Sequence, residues 1–310
     1  DGFVGKPVEI GTDVFAMDTG NDSSTIPCFD SNFAVDLGIY REFASTDDWL
    51  TTSRLTGTKF LKTNDNSAES TQANNVFDSN VGFAKSQDSL RQAWMWKRHA
   101  GFDCIAYQGN SVSGTQISHS MNAVPQMIWI KRRDDTKDWQ VGHHGANGGT
   151  NPWNYYLELN QSQAEASQEG IWNNTAPTST HFTLGNWTQV NNSSGEYIAM
   201  LFASVSGISS VGAYDGSSSD VTVTTGFQPR FILIKCVTDT YNWVVFDTVR
   251  GMTASGNDAT IFLNQDDAQN TNGNHNWITG LSSTGFTVSS PSGYPWINTA
   301  NEKYIYYAHA

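Results

Sequence analysis

The chain of 310 residues is acidic, because 30 Asp and Glu against 17 Lys and Arg give a formal charge of −13 at pH 7. So few scattered cations cannot supply a dense row of phosphate contacts, which argues against nucleic acid as a partner. No apolar stretch approaches the roughly 18 residues of a membrane span, so no membrane insertion is expected. The composition is 12% aromatic with 27 glycines and many Ser, Thr and Asn, which is typical of short strands joined by turns.

One stretch occurs twice with the same spacing. Proline, lysine and tryptophan all recur after 104 residues, in PQMIWIK at 125–131 with Trp139 and in PRFILIK at 229–235 with Trp243. A weaker copy, Phe33–Arg41, precedes Trp49. A period near 100 residues is too long for a solenoid unit and has the size of a small domain. The sequence therefore predicts three tandem copies.

Each copy carries further strand signals in the same order, after a lead-in strand or linker at residues 1–12. An opening strand runs into a glycine turn, the apolar strand and its Trp follow, and a strand ending in Asn comes next, as in Tyr156–Asn160 and Ile261–Asn264. Two more strands close each copy, the last of them aromatic, as in Tyr304–Ala310. About seven or eight short strands per copy are typical of a sandwich or barrel.

These signals predict an all-β fold of three tandem β-sandwich domains, jelly-roll-like or lectin-like, of about 100 residues each. The expected divisions are a lead-in at 1–12, a degenerate first repeat at 13–100, a second at 101–208 and a third at 209–310. Short polar connectors near residues 100 and 208 indicate a fairly stiff string of domains.

Positions that recur in the copies are expected to serve the shared architecture. Trp139 and Trp243 are predicted to pack in cores and not to contact a ligand. Lys131 and Lys235 end apolar strands, which favours either snorkelling to solvent or a contact with backbone carbonyls. Function is therefore sought where the copies differ.

Metal binding receives little support from the sequence, and no cofactor is predicted. The three cysteines (28, 104 and 236) fall at different positions within their repeats, which argues against a disulfide framework or a metal cluster. Neighbours such as His143 and His144 point to opposite faces of a strand, and no third ligand follows at a diagnostic spacing. Three acidic pairs could touch calcium but fit solvated turns better, since they lack the spacing of a calcium loop: Asp47–Asp48, Asp134–Asp135 and Asp266–Asp267.

The largest difference between copies is the glycine-rich segment His143–Tyr156. Trp153 and Tyr155 can offer flat faces to sugar rings, and Asn151 can bond hydroxyl groups. The alternative is that the tryptophan folds back on its own domain or packs in an oligomer interface. A loop of the third copy supports the same argument, and the complete candidate ligand-binding set is Trp153, Tyr155, Asn151, Tyr294 and Trp296.

The run Phe246–Gly251, the segment Gly57–Leu61, a Gly-Phe-Thr element and the aromatic closing strands give the chain a family resemblance. It resembles a tandem-repeat β-domain of unknown function found in tail-fibre-like and other virion proteins of tailed, often marine, phages. The first copy departs most from the family pattern, because it has Arg41, Trp49 and a shortened central segment. The resemblance implies a location on the virion surface, as a tail or capsid appendage, and contact with the host. It also suggests a homo-oligomer, such as a trimer.

The main hypothesis is a phage virion structural protein, a fibre-like or appendage segment that contributes to attachment to host-surface glycan. Its expected partners are other virion proteins, copies of itself and that glycan. The alternative is a purely structural virion component, such as a capsid decoration or tail scaffold. A third hypothesis is a particle-borne polysaccharide-degrading enzyme, since glycosidases need only two carboxylates brought together by the fold. Active sites are usually unique, whereas repetition favours multivalent contact, so no enzymatic activity is expected.

Overall fold

The regular secondary structure of the chain is mainly antiparallel β-sheet, which confirms the predicted all-β class. The computed structural model describes residues 9–271, 276–289 and 296–310, with 38% strand and 6% helix. The α-helices are single turns, α1 (Glu169–Trp172) and α2 (Thr188–Asn191). Short 3-10 turns lie at Gly11–Asp13, Ala146–Gly149 and Pro152–Asn154.

The strands of the three repeats follow one another in a similar order. Repeat 1 contains β1 Phe15–Thr19, β2 Phe29–Asp30, β3 Leu37–Glu42, β4 Leu50–Ser53, β5 Lys59–Lys62, β6 Ser70–Thr71, β7 Gly82–Phe83 and β8 Arg91–Trp96. Repeat 2 contains β9 Phe102–Gln108, β10 Thr115–Ser118, β11 Met127–Arg132, β12 Gln140–His143, β13 Tyr155–Glu158, β14 Ala166–Ser167, β15 His181–Leu184 and β16 Glu196–Phe202. Repeat 3 contains β17 Ser209–Asp215, β18 Val221–Thr224, β19 Phe231–Cys236, β20 Val244–Asp247, β21 Ile261–Phe262, β22 Ile278–Ser282, β23 Gly285–Val288 and β24 Lys303–His309.

Each repeat forms one large antiparallel sheet with the same strand order. The orders are β1-β8-β3-β4-β5-β6 in repeat 1, β9-β16-β11-β12-β13-β14 in repeat 2 and β17-β24-β19-β20-β21 in repeat 3. The repeated apolar stretch supplies the inner strands β3, β11 and β19. A small sheet accompanies each large one, formed by β2-β7, β10-β15 and β18-β23-β22 respectively.

The inner strand of each large sheet buries both of its faces. In β11, Met127 and Trp129 point into an apolar cluster common to all repeats. Ile128 and Ile130 point into a second cluster, which belongs to repeat 2 and includes side chains of its small sheet. Strand β19 divides its side chains in the same way. Because both faces are covered, these strands read as continuous apolar runs and not as alternating patterns.

The cluster common to all repeats, here called the shared core, brings the three large sheets together. Its largest members include Trp49, Trp94 and Trp96 of repeat 1, Trp129, Trp139 and Phe202 of repeat 2, and Leu233, Trp243 and Tyr307 of repeat 3. The prediction of a stiff string of domains is therefore wrong. A string would leave the second face of each large sheet in water, whereas burial stabilises by about 25 cal/mol per Å² of apolar surface.

Hydrogen bonds arrange the three repeats as a closed ring. One recurring Trp of each repeat donates its indole Nε1–H to a backbone carbonyl of the preceding repeat in the ring: Trp139 to Lys62 over 2.7 Å, Trp243 to Glu158 over 3.0 Å and Trp49 to Phe262 over 2.8 Å. The three acceptors occupy equivalent positions of their sheets. One contact repeated head to tail until it closes is a heterologous ring, here with threefold pseudo-symmetry within a single chain.

We name the three contacts between repeats seam 1–2, seam 2–3 and seam 3–1. Each seam contains one equivalent backbone hydrogen bond. The amide of Glu69 donates to Arg133 O over 2.7 Å, that of Glu165 to Val237 O over 2.8 Å, and that of Gln269 to Phe43 O over 2.8 Å. Seam 3–1 joins the first and last repeats and is closed by non-covalent contacts alone.

Candidate functional site

A buried cation lies near the end of the inner strand in every repeat. Lys131, Lys235 and Arg41 occupy equivalent positions, and all are 0% exposed. Lys235 Nζ donates over 2.6 Å to the carbonyl of the next residue and over 3.1 Å to Ser162 O across seam 2–3. The Arg41 guanidinium donates to the carbonyls of residues 265–267 across seam 3–1. Lys235 and Arg41 therefore satisfy backbone carbonyls across seams, whereas Lys131 donates to carbonyls of its own repeat.

Burial controls the charge of the two lysines. Desolvation lowers the pKa of Lys131 and of Lys235 to about 8, and nearby carboxylates oppose the shift only in part. Of the two roles predicted for these lysines, the carbonyl contact is confirmed. Snorkelling is wrong, because neither residue reaches solvent.

The Asn near the end of the following strand positions each recurring Trp. The backbone N–H of the tryptophan donates over 2.9 Å to the asparagine Oδ1 in all three repeats, in the pairs Trp49–Asn64, Trp139–Asn160 and Trp243–Asn264. The prediction that the recurring Trp residues serve the architecture is thus confirmed. The segments that differ between repeats are left as candidates for function.

The segment His143–Tyr156 is held beside seam 2–3 by a specific set of contacts. Asn147, Gly148 and Asn151 adopt left-handed φ angles of 49°, 61° and 47°, which Asn and Gly tolerate best. The backbone N–H of Asn147 donates to both oxygens of Glu165, at 2.9 and 2.8 Å. Burial raises the pKa of Glu165, and this hydrogen bond opposes the shift.

Trp153 folds back onto its own repeat. The residue is 6% exposed, and its ring packs edge to face against Trp172 with the centroids 5.6 Å apart. It also forms one wall of a cleft of about 410 Å³, here called the Trp153 cleft, whose other lining residues are Ala123, Val124, Pro125, Gln126, His144, Ala176, Pro177, Ala203 and Ser204. The structure therefore places Trp153 as a packed residue whose outer edge borders a cleft.

The other two candidates of this loop do not join Trp153 in one platform. Tyr155 is half-buried at the start of β13, and strand alternation places it on the sheet face of Leu157, a member of the shared core. Trp153 belongs instead to the core of repeat 2. Asn151 is exposed and precedes the 3-10 turn that carries Trp153. Ligand contact by Tyr155 and Asn151 stays a prediction.

The candidates of repeat 3 have a partly packed environment. Trp296 is half-buried and stacks on Trp277 with the centroids 5.3 Å apart. It also meets Phe262 edge to face at 5.2 Å. Tyr294 lies outside the described residues. These contacts place Trp296 against its own repeat. Trp153 likewise packs against its own repeat, repeat 2.

The histidine pair is part of the packing at seam 2–3. His143 is 1% exposed, and its Nδ1 accepts the backbone N–H of Gly145 at 2.9 Å. His144 Nε2 lies 3.2 Å from Val211 O in repeat 3. Desolvation lowers the pKa of both imidazoles, and that of His143 falls well below its ordinary value.

Two of the three acidic pairs that could touch calcium form ion pairs with cationic side chains. Arg132 forms ion pairs with both Asp134 and Asp135, and Asp48 contacts Lys62 at 2.7 Å. Within the described part of the chain, no group of three His, Cys, Asp or Glu side chains could hold a metal ion. The three cysteines are free and buried.

A second cleft, unanticipated from the sequence, lies beside seam 1–2. It has a volume of about 430 Å³ and is lined by Leu55, Arg98, Asp103, Cys104, Ile105, Ala106, Ser118, His119 and Ser120. Asp103 accepts hydrogen bonds from Arg98 Nε at 2.6 Å and from the Ser120 backbone at 2.9 Å. Its polar groups thus largely satisfy one another. An oppositely charged pair flanking the repeat boundary was the available sequence signal.

Comparisons with known proteins identify a family but no characterised relative. No curated protein and no solved structure matches the chain. Among the described residues, no helix is long and apolar enough to cross a membrane. One family model, described as a domain of unknown function (DUF7483), matches residues 15–310 and thus spans all three repeats. The chain belongs to this DUF7483 family.

Proposed function

We propose that this chain is a non-enzymatic virion structural protein, a fibre-like or appendage module that contributes to attachment to host-surface glycan. The phage-protein resemblance of the sequence supports the location. The closed ring supports a structural role, because a shared core makes a more rigid body than a string of domains. At the finer level, we propose that each large sheet and its small partner sheet form one jelly-roll-like sandwich.

The observation that carries the attachment role is the Trp153 cleft. The recurring tryptophans, asparagines and cations are used within the ring, so a binding function falls to features that differ between repeats. This cleft lies in such a feature and combines an indole wall with apolar side chains and a few polar ones. Sites for small ligands have that composition, and sugar rings present apolar faces together with hydroxyl groups.

The polar groups of the Trp153 cleft leave room for sugar hydroxyls. Gln126 Oε1 accepts the backbone N–H of Ser204 at 2.7 Å, which holds the amide side chain in place. His144 bonds across seam 2–3 to Val211 O and borders the same cleft. Amide, imidazole and hydroxyl groups can exchange hydrogen bonds with hydroxyls. A neutral or weakly acidic glycan suits these groups better than a strongly charged ligand.

A purely structural role, as capsid decoration or tail scaffold, is the second candidate. The specific observation in its favour is the packing of Trp153 at 6% exposure and of Trp296 against Trp277. Under this proposal the aromatic rings stabilise loops and the outer surface contacts other virion proteins. A homo-oligomer, if formed, would use that outer surface, since the ring already fills three positions around its own axis.

Two exposed valines of repeat 2 offer a matched test. Val124 lines the Trp153 cleft and is 49% exposed, whereas Val112 is 58% exposed and lies outside that cleft. We expect the wild-type chain to bind host-surface polysaccharide on a glycan array, Val124→Asp to weaken that binding at least tenfold, and Val112→Asp to leave it unchanged. Equal effects of both variants, or no binding by the wild type, would reject the attachment role.

Labelling the chain on intact particles separates the two structural settings. Label at the distal tail or on projecting fibres supports attachment. Label spread over the capsid shell supports decoration. Absence of the chain from particles would reject both virion proposals.

A further inference from the structure

Buried histidines lie at both seams of repeat 3. His143 and His144 contribute to seam 2–3 from repeat 2, and His309 contributes to seam 3–1 from strand β24. His143 and His309 are at most 1% exposed. Imidazoles therefore lie where repeat 3 meets each of its neighbours. The hydrogen bonds of each imidazole define which of its nitrogens carries the proton.

His309 is seated as the neutral tautomer protonated at Nδ1. Nδ1 lies 3.1 Å from the carbonyl oxygen of Ala310, so the proton belongs on this nitrogen. Nε2 is buried and forms no hydrogen bond within the described residues. The imidazole packs at a tilt of 31° against the ring of Phe15 in repeat 1, with the centroids 4.5 Å apart. A second proton on Nε2 would give the imidazole a positive charge, with no hydrogen-bond acceptor for that N–H at the buried contact with Phe15.

The groups around His309 disfavour that charge. Arg230 lies nearby, and its guanidinium donates to Phe15 O across seam 3–1 and to Ala310 O. His99 faces His309 at 6.5 Å, and Tyr307 of the same strand lies at 6.3 Å. Desolvation, together with His99 and Arg230, lowers the pKa of His309 to about 3 despite the contact with Ala310. Phe231 pairs with His309 on one side and with Asp247 on the other, and the Asp247 carboxylate forms an ion pair with Arg250.

His143 is seated as the opposite tautomer. Its Nδ1 accepts the Gly145 N–H, so Nε2 must carry the proton. Protonation of Nδ1 would set two donors against each other and break the turn that leads from β12 to seam 2–3. The titratable neighbour is His144, whose ring centroid lies 5.0 Å away, and Tyr306 of repeat 3 faces the imidazole through its backbone.

We propose that mild acid promotes transient opening of repeat 3 from its two neighbours, because protonation of His309 and His143 is incompatible with their contacts at seams 3–1 and 2–3. Seam 1–2, which is linked through Trp139, Arg133 and Glu69, stays closed over the same pH range. Neither His309 nor His143 lines the Trp153 cleft, so the proposal does not require a bound glycan.

The direction and size of the effect follow from proton linkage. In the open form the two histidines have the ordinary imidazole pKa of about 6.5 and bind protons below it. In the closed form the same histidines bind protons only at far lower pH. The closed state is therefore favoured above that pKa and loses its advantage as the pH falls. Each such histidine increases the opening equilibrium about 30-fold between pH 7.5 and pH 5. The Glu165 carboxyl at seam 2–3 does not cause the opening, because burial raises its pKa and its protonation in acid favours the closed form.

Hydrogen exchange at the three equivalent seam amides tests the proposal on the intact chain. After correction for intrinsic exchange, moving from pH 7.5 to pH 5 should accelerate exchange of the Glu165 and Gln269 amides at least 30-fold. The Glu69 amide of seam 1–2 should change little. Equal acceleration at all three amides, or none at the seams of repeat 3, would overturn the proposal.

Asparagine variants keep the test decisive. His309→Asn retains a donor near Nδ1, and His143→Asn retains an acceptor there, yet neither can take the proton. Each variant should lose its share of the acid response at its own seam, compared with its own exchange rate at pH 7.5. His181→Asn, in the small sheet of repeat 2, should keep the full response. Retention of the full response by His309→Asn and His143→Asn would refute the mechanism.

Discussion

The indole hydrogen bonds across the seams lead to the sharpest prediction about stability. Trp139 is 0% exposed, and its Nε1–H donates over 2.7 Å to Lys62 O of repeat 1. Trp139→Phe keeps an aromatic ring but removes the donor. Leaving a buried carbonyl without its partner costs about 1–3 kcal/mol. The smaller ring adds roughly 1 kcal/mol for lost contacts and residual cavity.

We therefore expect Trp139→Phe to lower the free energy of unfolding by about 3 kcal/mol. Trp243→Phe and Trp49→Phe should have effects of the same size, since both make the equivalent bond. Trp153→Phe is the matched control, because Trp153 packs within repeat 2 and makes none of these bonds. It should cost about 1 kcal/mol.

Denaturation in urea, followed by far-ultraviolet circular dichroism, measures these differences. The shared core predicts a single cooperative transition for the wild-type chain, whereas separate domains would unfold independently. The argument fails if Trp139→Phe destabilises no more than Trp153→Phe. It also fails if the wild type shows three independent transitions.

Two further predictions concern buried charge. The pKa of Lys131 and Lys235 is about 8 in the folded chain, below the ordinary value near 10.4. Between these two pH values the unfolded state therefore binds more protons than the folded state. The unfolding free energy should thus rise by roughly 2 kcal/mol per lysine from pH 8 to pH 10, and Lys→Met at either position should remove its share of that rise in chemical denaturation series. Asp247→Asn should destabilise by about 3–5 kcal/mol, because it leaves Arg250 buried without its counter-ion. Asp215→Asn, at a carboxylate 79% exposed, should change stability by less than about 0.5 kcal/mol in the same assay.

Much of the fold was predictable because the same residues recur at equivalent positions of the repeats. The Trp and Asn signals recur, and the structure pairs Trp139 with Asn160 and Trp243 with Asn264. The ring was missed although a signal was present. A strand such as Met127–Lys131 is apolar at nearly every position, whereas a sheet with one solvated face would alternate. The continuous run indicated that both faces are covered, but on one face the partners are other repeats, which are distant in the sequence.

The environment of the loop aromatics was not predictable from sequence. Trp153 packs beside Gly142 of strand β12, where an added Cβ would come within 2.5 Å of Trp153 and 2.8 Å of Trp172. A glycine in one strand and a tryptophan in a short helix thus jointly create the space that receives the indole. Nothing in the Gly-rich loop itself encodes that space. The sequence could therefore identify the ring as a candidate but could not determine its exposure.

Two departures from threefold pseudo-symmetry lie at seam 3–1, where the ring closes without a connecting segment. Repeat 1 has Trp94 and Trp96 where repeat 2 has Met200 and Phe202. At seam 3–1, Trp94 Nε1 donates to Asp247 Oδ2 and Trp96 Nε1 donates to the Tyr307 hydroxyl, both over 3.1 Å.

Such buried hydrogen bonds contribute about 1 kcal/mol each and require specific geometry. They favour one register at seam 3–1, in a body whose three similar sheets could otherwise pair wrongly. Three fused copies can differ in this way, whereas three identical subunits would have to place the same residues at every seam. In repeat 1, Trp94 and Trp96 supply these donors for the seam that no connecting segment crosses.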